Sequence, residues 1–156
     1  MTFHNDPRFK SVRTLDEVTK AWSIYGLPHS GFVHLSQDEI LQYPGLIPNQ
    51  HVVATGGNID NVYMISAFHG LHCLQSLQRA FAIVTDNSTN GNYEFALHAN
   101  HCFNYLRQVV LCAADFTLEG PDMIPEPGES PLRGWGVEHK CWSWKKMEEW
   151  RDRHAI

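Results

Sequence analysis

The sequence predicts a mainly α, single small domain, with two central antiparallel helices carrying HxxHC motifs, plus short β segments and long loops. Three observations predict it. From about Ile65 to Val84 the chain is apolar with only Arg79 charged, a run too long for a strand and suited to a buried helix. From about Tyr93 to Ala114 a second stretch is again poor in charge. Only Asn87-Ser88-Thr89-Asn90-Gly91-Asn92 separates them, a loop short enough to make the helices antiparallel neighbours.

The remaining elements follow from local signals. Thr14-Leu15-Asp16-Glu17 has the form of a capping box and opens a helix to about Tyr25, stopped by Gly26 and Pro28. Phe32-Val33-His34-Leu35 reads as a short strand, and Ser36-Gln37-Asp38-Glu39 caps a brief helix ended by Pro44. His51-Val52-Val53-Ala54 is a second strand, closed by Gly56-Gly57. Pro121 to Pro131 is an extended surface loop. The tail from Trp142 to His154 sets Trp144, Met147 and Trp150 at helical spacing among charges, which predicts a lid helix packing its aromatic side on the body.

The chain of 156 residues is 43% apolar, 12% aromatic and 19% charged, the balance of one globular domain over 1–156 rather than of a disordered segment. A net charge of −5 argues against an electrostatic grip on nucleic acid. No apolar run is long enough to span a membrane and no export leader is visible, so the chain as it stands is expected to be soluble.

The two helices carry the chemistry. Residues three and four apart share a helix face, so His69 and His72 point one way with Cys73 beside them, and His98, His101 and Cys102 repeat the pattern. Four imidazoles are then expected to converge in an apolar interior, where a bound cation satisfies groups that are costly to bury alone. His139 is a candidate fifth ligand; Glu94 and Asp115 are placed to orient a ligand imidazole. Tyr105, Trp135 and Trp142 are candidate walls of a substrate pocket. His4, His29, His34, His51 and His154 have no partner spacing.

Two plainer readings compete. Each histidine can be a core or surface residue with its own hydrogen bond, or cysteines and histidines can build a structural zinc site. The latter suits adjacent His-Cys pairs poorly, because neighbours on a helix diverge by about 100°. The cysteines allow two disulfides, one thiolate metal site or ordinary buried thiols. If they are oxidised, straight antiparallel helices put Cys112 far from both Cys73 and Cys102, leaving Cys73–Cys102 with Cys112–Cys141 as the least strained pairing. Asn87-Ser88-Thr89 is a glycosylation sequon between the two helices and favours an oxidising compartment. No Ser-His-Asp, Cys-His-Asn, phosphate-loop or dinucleotide pattern is visible, which disfavours hydrolases and nucleotide-dependent enzymes.

Several stretches together resemble one known family. They are Tyr63-x5-His69-Gly70-Leu71-His72-Cys73-Leu74, His98-x-x-His101-Cys102-x-x-Tyr105-Leu106-Arg107-Gln108, Cys112-Ala113-Ala114-Asp115-x-Thr117-Leu118-Glu119, and His139-x-Cys141. Over about Trp22 to Trp150 the sequence closely resembles the UstYa-like family of fungal secondary-metabolite (mycotoxin) biosynthesis oxidases. The resemblance implies a copper-dependent oxidative tailoring enzyme that cyclises, hydroxylates, desaturates or halogenates a peptide or polyketide-type substrate.

It further implies one or two copper ions, in preference to zinc, held by His69, His72, His98 and His101 with His139 joining them. Dioxygen or peroxide would be the co-substrate, and a small molecule or cyclic peptide the substrate. Disulfides and a glycoprotein of the secretory-pathway lumen are implied as well, as is pairing with itself or with a related family member. Family members usually begin with a membrane-spanning helix that this chain does not carry, so a soluble lumenal form is expected. Two rivals stand beside this reading. One is a metal-independent cyclase or isomerase using the pocket histidines and Asp115 as acids and bases. The other is a non-catalytic partner subunit.

Overall fold

The protein was analysed as a computed structural model, which describes residues 2–10, 12–26, 31–43, 46–52, 58–86, 93–120, 134 and 136–154. Its first helix, α1 (Leu15–Trp22), is set by the capping box read from the sequence: Thr14 accepts from the Glu17 amide, and the Glu17 carboxylate accepts from the Thr14 amide. A 3-10 turn at Ser23–Tyr25 extends it to Gly26, whose φ of 65° provides the left-handed stop. The same capping pair, Ser36 and Glu39, opens α2 (Gln37–Ile40) directly after β1 (Phe32–His34).

Two long helices, α3 (Ser66–Asp86) and α4 (Tyr93–Ala113), form the body. Gly70 of α3 lies against Val110 of α4, Gln78 donates to Asn100, and the Phe81 ring tilts onto Phe103 at 5.9 Å. Helix α1 closes over α3, and a 3-10 turn at Pro7–Phe9 packs on α4 and α1. Phe9, Trp22, Leu71, Leu74 and Ala82 bury one continuous core there. This core holds a line of hydrogen-bonded polar groups: Trp22 Nε1 donates to Gln78 Oε1 at 2.7 Å, Gln78 Nε2 to Asn100 Oδ1 at 3.1 Å, and Asn100 Nδ2 to the Val12 carbonyl at 2.8 Å. Arg107 is buried beside them, its guanidinium over the Phe9 ring at 4.5 Å and bonded to the Tyr25 hydroxyl and to Asn104.

The strands are short. β4 (Val62–Ile65) runs straight into α3 and is the centre of a three-stranded antiparallel sheet of order β1-β4-β5, where β5 is Leu118–Glu119. Val33 pairs with Tyr63, and Met64 with Glu119. Ile40, Tyr63 and Leu118 form a second small core beneath it. β2 (Gln50–Val52) and β3 (Asn58–Asp60) form a separate hairpin. β2 covers only part of the strand expected from His51 to Ala54, whose last residues lie outside the described ones.

The molecule is mainly helical, as the sequence predicts. The lid is a correction. On α5 (Trp144–His154) the side chains of Trp144, Met147 and Trp150 are exposed, so the aromatic side does not pack on the body. Lys145, Lys146 and Glu149 beside them are exposed too, and a helix this rich in charge stays solvated at little cost. Among the described residues no helix is long and apolar enough to cross a membrane. The loop Pro121 to Pro131, Trp135 and the sequon at Asn87 lie outside the described residues.

Candidate metal centre

The first amides of a helix have no partner within it and must find acceptors. At the start of α3 the chain that follows α4 supplies them. Ala114 adopts a left-handed φ of 44° and turns the backbone out of α4. The segment then runs back past α3, where the Ala67 amide donates to the Asp115 carbonyl at 2.9 Å and the Ser66 amide to the Thr117 carbonyl at 2.9 Å. β5 continues this return and pairs with β4. Two carboxylates are thereby laid against imidazoles. His69 Nδ1 hydrogen-bonds Glu119 Oε2, and His139 Nδ1 lies 2.7 Å from Asp115 Oδ2. The other Asp115 oxygen accepts from the Thr117 amide at 3.0 Å and hydroxyl at 2.7 Å.

These carboxylates are held ionised. Burial pushes Glu119 up, but the bond from His69 and the nearby charges of His69 and His139 outweigh it, leaving its carboxyl below the usual glutamate range. Asp115 follows the same balance, burial opposed by Thr117 and His139, and also ends below its usual range. His72 shares the face of α3 with His69. Burial, and then the His69 charge, lower its pKa, and its buried Nδ1 has no hydrogen-bond partner. Cys73, though exposed as a residue, has its thiol pushed up by desolvation and then by Glu119, which disfavours the thiolate a zinc–cysteine site needs.

The second motif lies elsewhere. His98 and His101 are exposed on α4, with ring centroids 6.2 Å apart. Since Gly70 meets Val110 and Gln78 meets Asn100, His69 is level with α4 about ten residues beyond His101, on the order of 15 Å along the axis. The expected convergence of His69, His72, His98 and His101 is therefore not formed within one chain. Among the described residues no group of three or more His, Cys, Asp or Glu side chains is placed to share one ion. The motif spacing fixes a face on each helix but not the level at which the helices meet. The structure instead gathers His69 and His72 with Glu119, and places His139, held by Asp115, close enough to act on the Glu119 charge.

Other expectations change as well. Cys73, Cys102, Cys112 and Cys141 are all free thiols, so neither Cys73–Cys102 nor Cys112–Cys141 is bridged. Trp142 is 99% exposed and Tyr105 stands at the surface edge-on to Phe3, so neither walls a pocket. The side chain of Glu94 lies outside those described. Glu119 is the functional candidate that spacing did not single out; its signal is a carboxylate in an otherwise apolar strand, three residues after Phe116 and two after Thr117.

Comparison with known proteins agrees with the motifs. A model described as mycotoxin biosynthesis protein UstYa matches residues 3–154. The oxidase ustYa of Aspergillus flavus is 35% identical over 81% of this chain and 54% of its own length. The UstYa family oxidase phomYb of Diaporthe leptostromiformis is 35% identical over 58% of this chain and 35% of its own. The chlorinase cctP2 of Talaromyces islandicus is 28% identical over 91% of this chain and 43% of its own. The chain thus spans roughly a third to a half of the length of these relatives. No solved structure matches it.

Proposed function

Because this chain belongs to the UstYa family of mycotoxin biosynthesis proteins, we propose that it is a copper-dependent oxidoreductase that tailors a natural product by C–H functionalisation. The observation that carries the reading is the pair His69–Glu119 next to His72, whose buried Nδ1 lacks a partner. A carboxylate on one ring nitrogen is how proteins aim the other at a metal, and an unpartnered buried imidazole nitrogen is costly unless something binds it. His69 and His72 would hold the ion; His139, held by Asp115, is not placed to share it with them in this structure and would join them only after moving. When bound, copper supplies the one-electron exchange with dioxygen or peroxide that hydrogen removal from an unactivated C–H or a phenol requires. The activities for which the relatives are named, oxidase and chlorinase, support cyclisation, hydroxylation, desaturation or halogenation of a small or cyclic-peptide substrate as the class of outcome.

The chain's own residues have distinct tasks in this scheme. Glu119 and Asp115 fix two imidazoles, and the closed polar core beneath α3 keeps His69 and His72 on a rigid element. The contacts of α3 with α4, whose numbers fall along one helix as they rise along the other, support the antiparallel pair. His98 and His101, exposed at the far level, support a second histidine site completed by another chain, either a second copy or a related family member. The secretory lumen is the proposed compartment, with the sequon at Asn87 as its sequence support.

Metal analysis of protein purified without added metal, followed by copper titration, tests the reading. Copper at a hundredfold its Kd should stabilise the fold by about 2.7 kcal/mol. His72→Ala should abolish most of that gain while leaving the metal-free melting temperature nearly unchanged. Protein that takes up no copper, or a His72→Ala variant that binds it as tightly, overturns the proposal. Turnover that survives complete chelation would favour a metal-independent cyclase.

A further inference from the structure

We propose that Glu119 is the positioning residue of this centre: it keeps the His69 proton on Nδ1 and so puts the ring's lone pair on Nε2, the nitrogen that would face the ion. The inference rests on reading His69 as a ligand. A neutral imidazole carries one N–H, and which nitrogen carries it is set by the partner. An ionised carboxylate only accepts, so Glu119 Oε2 on Nδ1 selects the Nδ1–H form.

Glu119 is itself fixed from several sides. It is only 6% exposed, and its backbone is locked in register opposite Met64 in β4. The Ser66 hydroxyl, at the start of α3, donates to the Thr117 carbonyl two residues before Glu119 at 3.0 Å and so ties down the approach to β5. Gly134 closes the remaining side: a Cβ there would come within 2.7 Å of Glu119 Oε2, and its φ of +75° suits glycine. The strand, and a backbone without a side chain at Gly134, therefore hold the carboxylate against one ring. A carboxylate engaged only to neutralise charge would need no such confinement.

Nitrogen-15 NMR of the metal-free protein at alkaline pH, where the ring is neutral, reads the inference without copper. His69 should be the Nδ1–H tautomer; an Nε2–H form, or an even mixture, overturns it. In copper titrations Glu119→Ala should weaken binding about 10- to 100-fold and change the copper(II) EPR spectrum. Glu119→Gln, which still offers a carbonyl oxygen to Nδ1, should recover most of the affinity. If Glu119→Ala does not fold, the wild-type tautomer and the Glu119→Gln affinity decide. Equal affinity and an unchanged spectrum in a folded Glu119→Ala protein overturn the role of Glu119. Absence of copper binding in the wild type instead overturns the metal reading, so the two failures are told apart.

Discussion

Ala114 occupies a backbone region that disfavours any side chain, yet the whole return path from α4 to the His69–Glu119 pair begins there. Ala114→Gly should therefore stabilise the protein, by about 0.5–1 kcal/mol, because glycine takes φ of 44° without a Cβ clash. Thermal unfolding would show a rise of a few degrees; a fall would mean that the methyl group makes contacts worth more than the strain. At this scale the sequence was partly legible. His69 and His72 announce themselves by spacing, since a helix face repeats every three to four residues. Asp115 and His139 were read as candidates and are paired, 2.7 Å apart. Glu119 lies 50 residues from its partner, and no periodic signal spans that distance.

Among the elements, α3 and α4 were legible because apolar runs poor in charge and too long for strands admit a helix, although Leu77, Val84, Tyr105 and Leu106 stay exposed rather than buried. β4 and β5 were not. They are four and two residues long, too short for alternation to register, and β5 exists because α3 and β4 present it with unpaired backbone groups. The polar line through the core was hidden too, since Gln78 and Asn100 look like ordinary helical polar residues in the chain. Their burial makes a sharp prediction. Gln78→Leu leaves the Trp22 N–H and the Asn100 carbonyl oxygen without partners and should cost about 2–5 kcal/mol, read by urea unfolding. A loss under 1 kcal/mol would mean that water enters this core. The α5 lid failed as an expectation because three apolar side chains on a strongly charged helix can remain in solvent.

For the whole molecule, acid should be more damaging than alkali. Asp6, Glu17, Asp115 and Glu119 all sit below their usual values in the fold, so each contributes stability that is complete above the unfolded value near 4 and is lost as pH falls through the lower folded one. His72 acts earlier. Its folded pKa is lowered, so below about 6.5 the unfolded chain takes up a proton that the fold resists, and stability starts to decline there. Melting temperatures of metal-free protein from pH 8 to 3 should fall in two stages, with His72→Gln flattening the upper one; a rise on acidification would contradict the assignment. What the sequence could not convey at this scale was register. Two identical motifs suggested one meeting point, whereas packing sets them at separate levels of the helix pair.

The uneven burial of tryptophan gives the described residues two optical populations. Trp22 is fully enclosed with its N–H on Gln78, while Trp142, Trp144 and Trp150 are bathed in solvent. Among the described tryptophans, blue-shifted emission that resists acrylamide therefore reports on Trp22 at the heart of the fold, and red, quenchable emission reports on the tail. Loss of the tail should erase most of the second signal and leave the first untouched, which makes the intrinsic fluorescence a ready gauge of whether a variant has disturbed the body or only its exposed end.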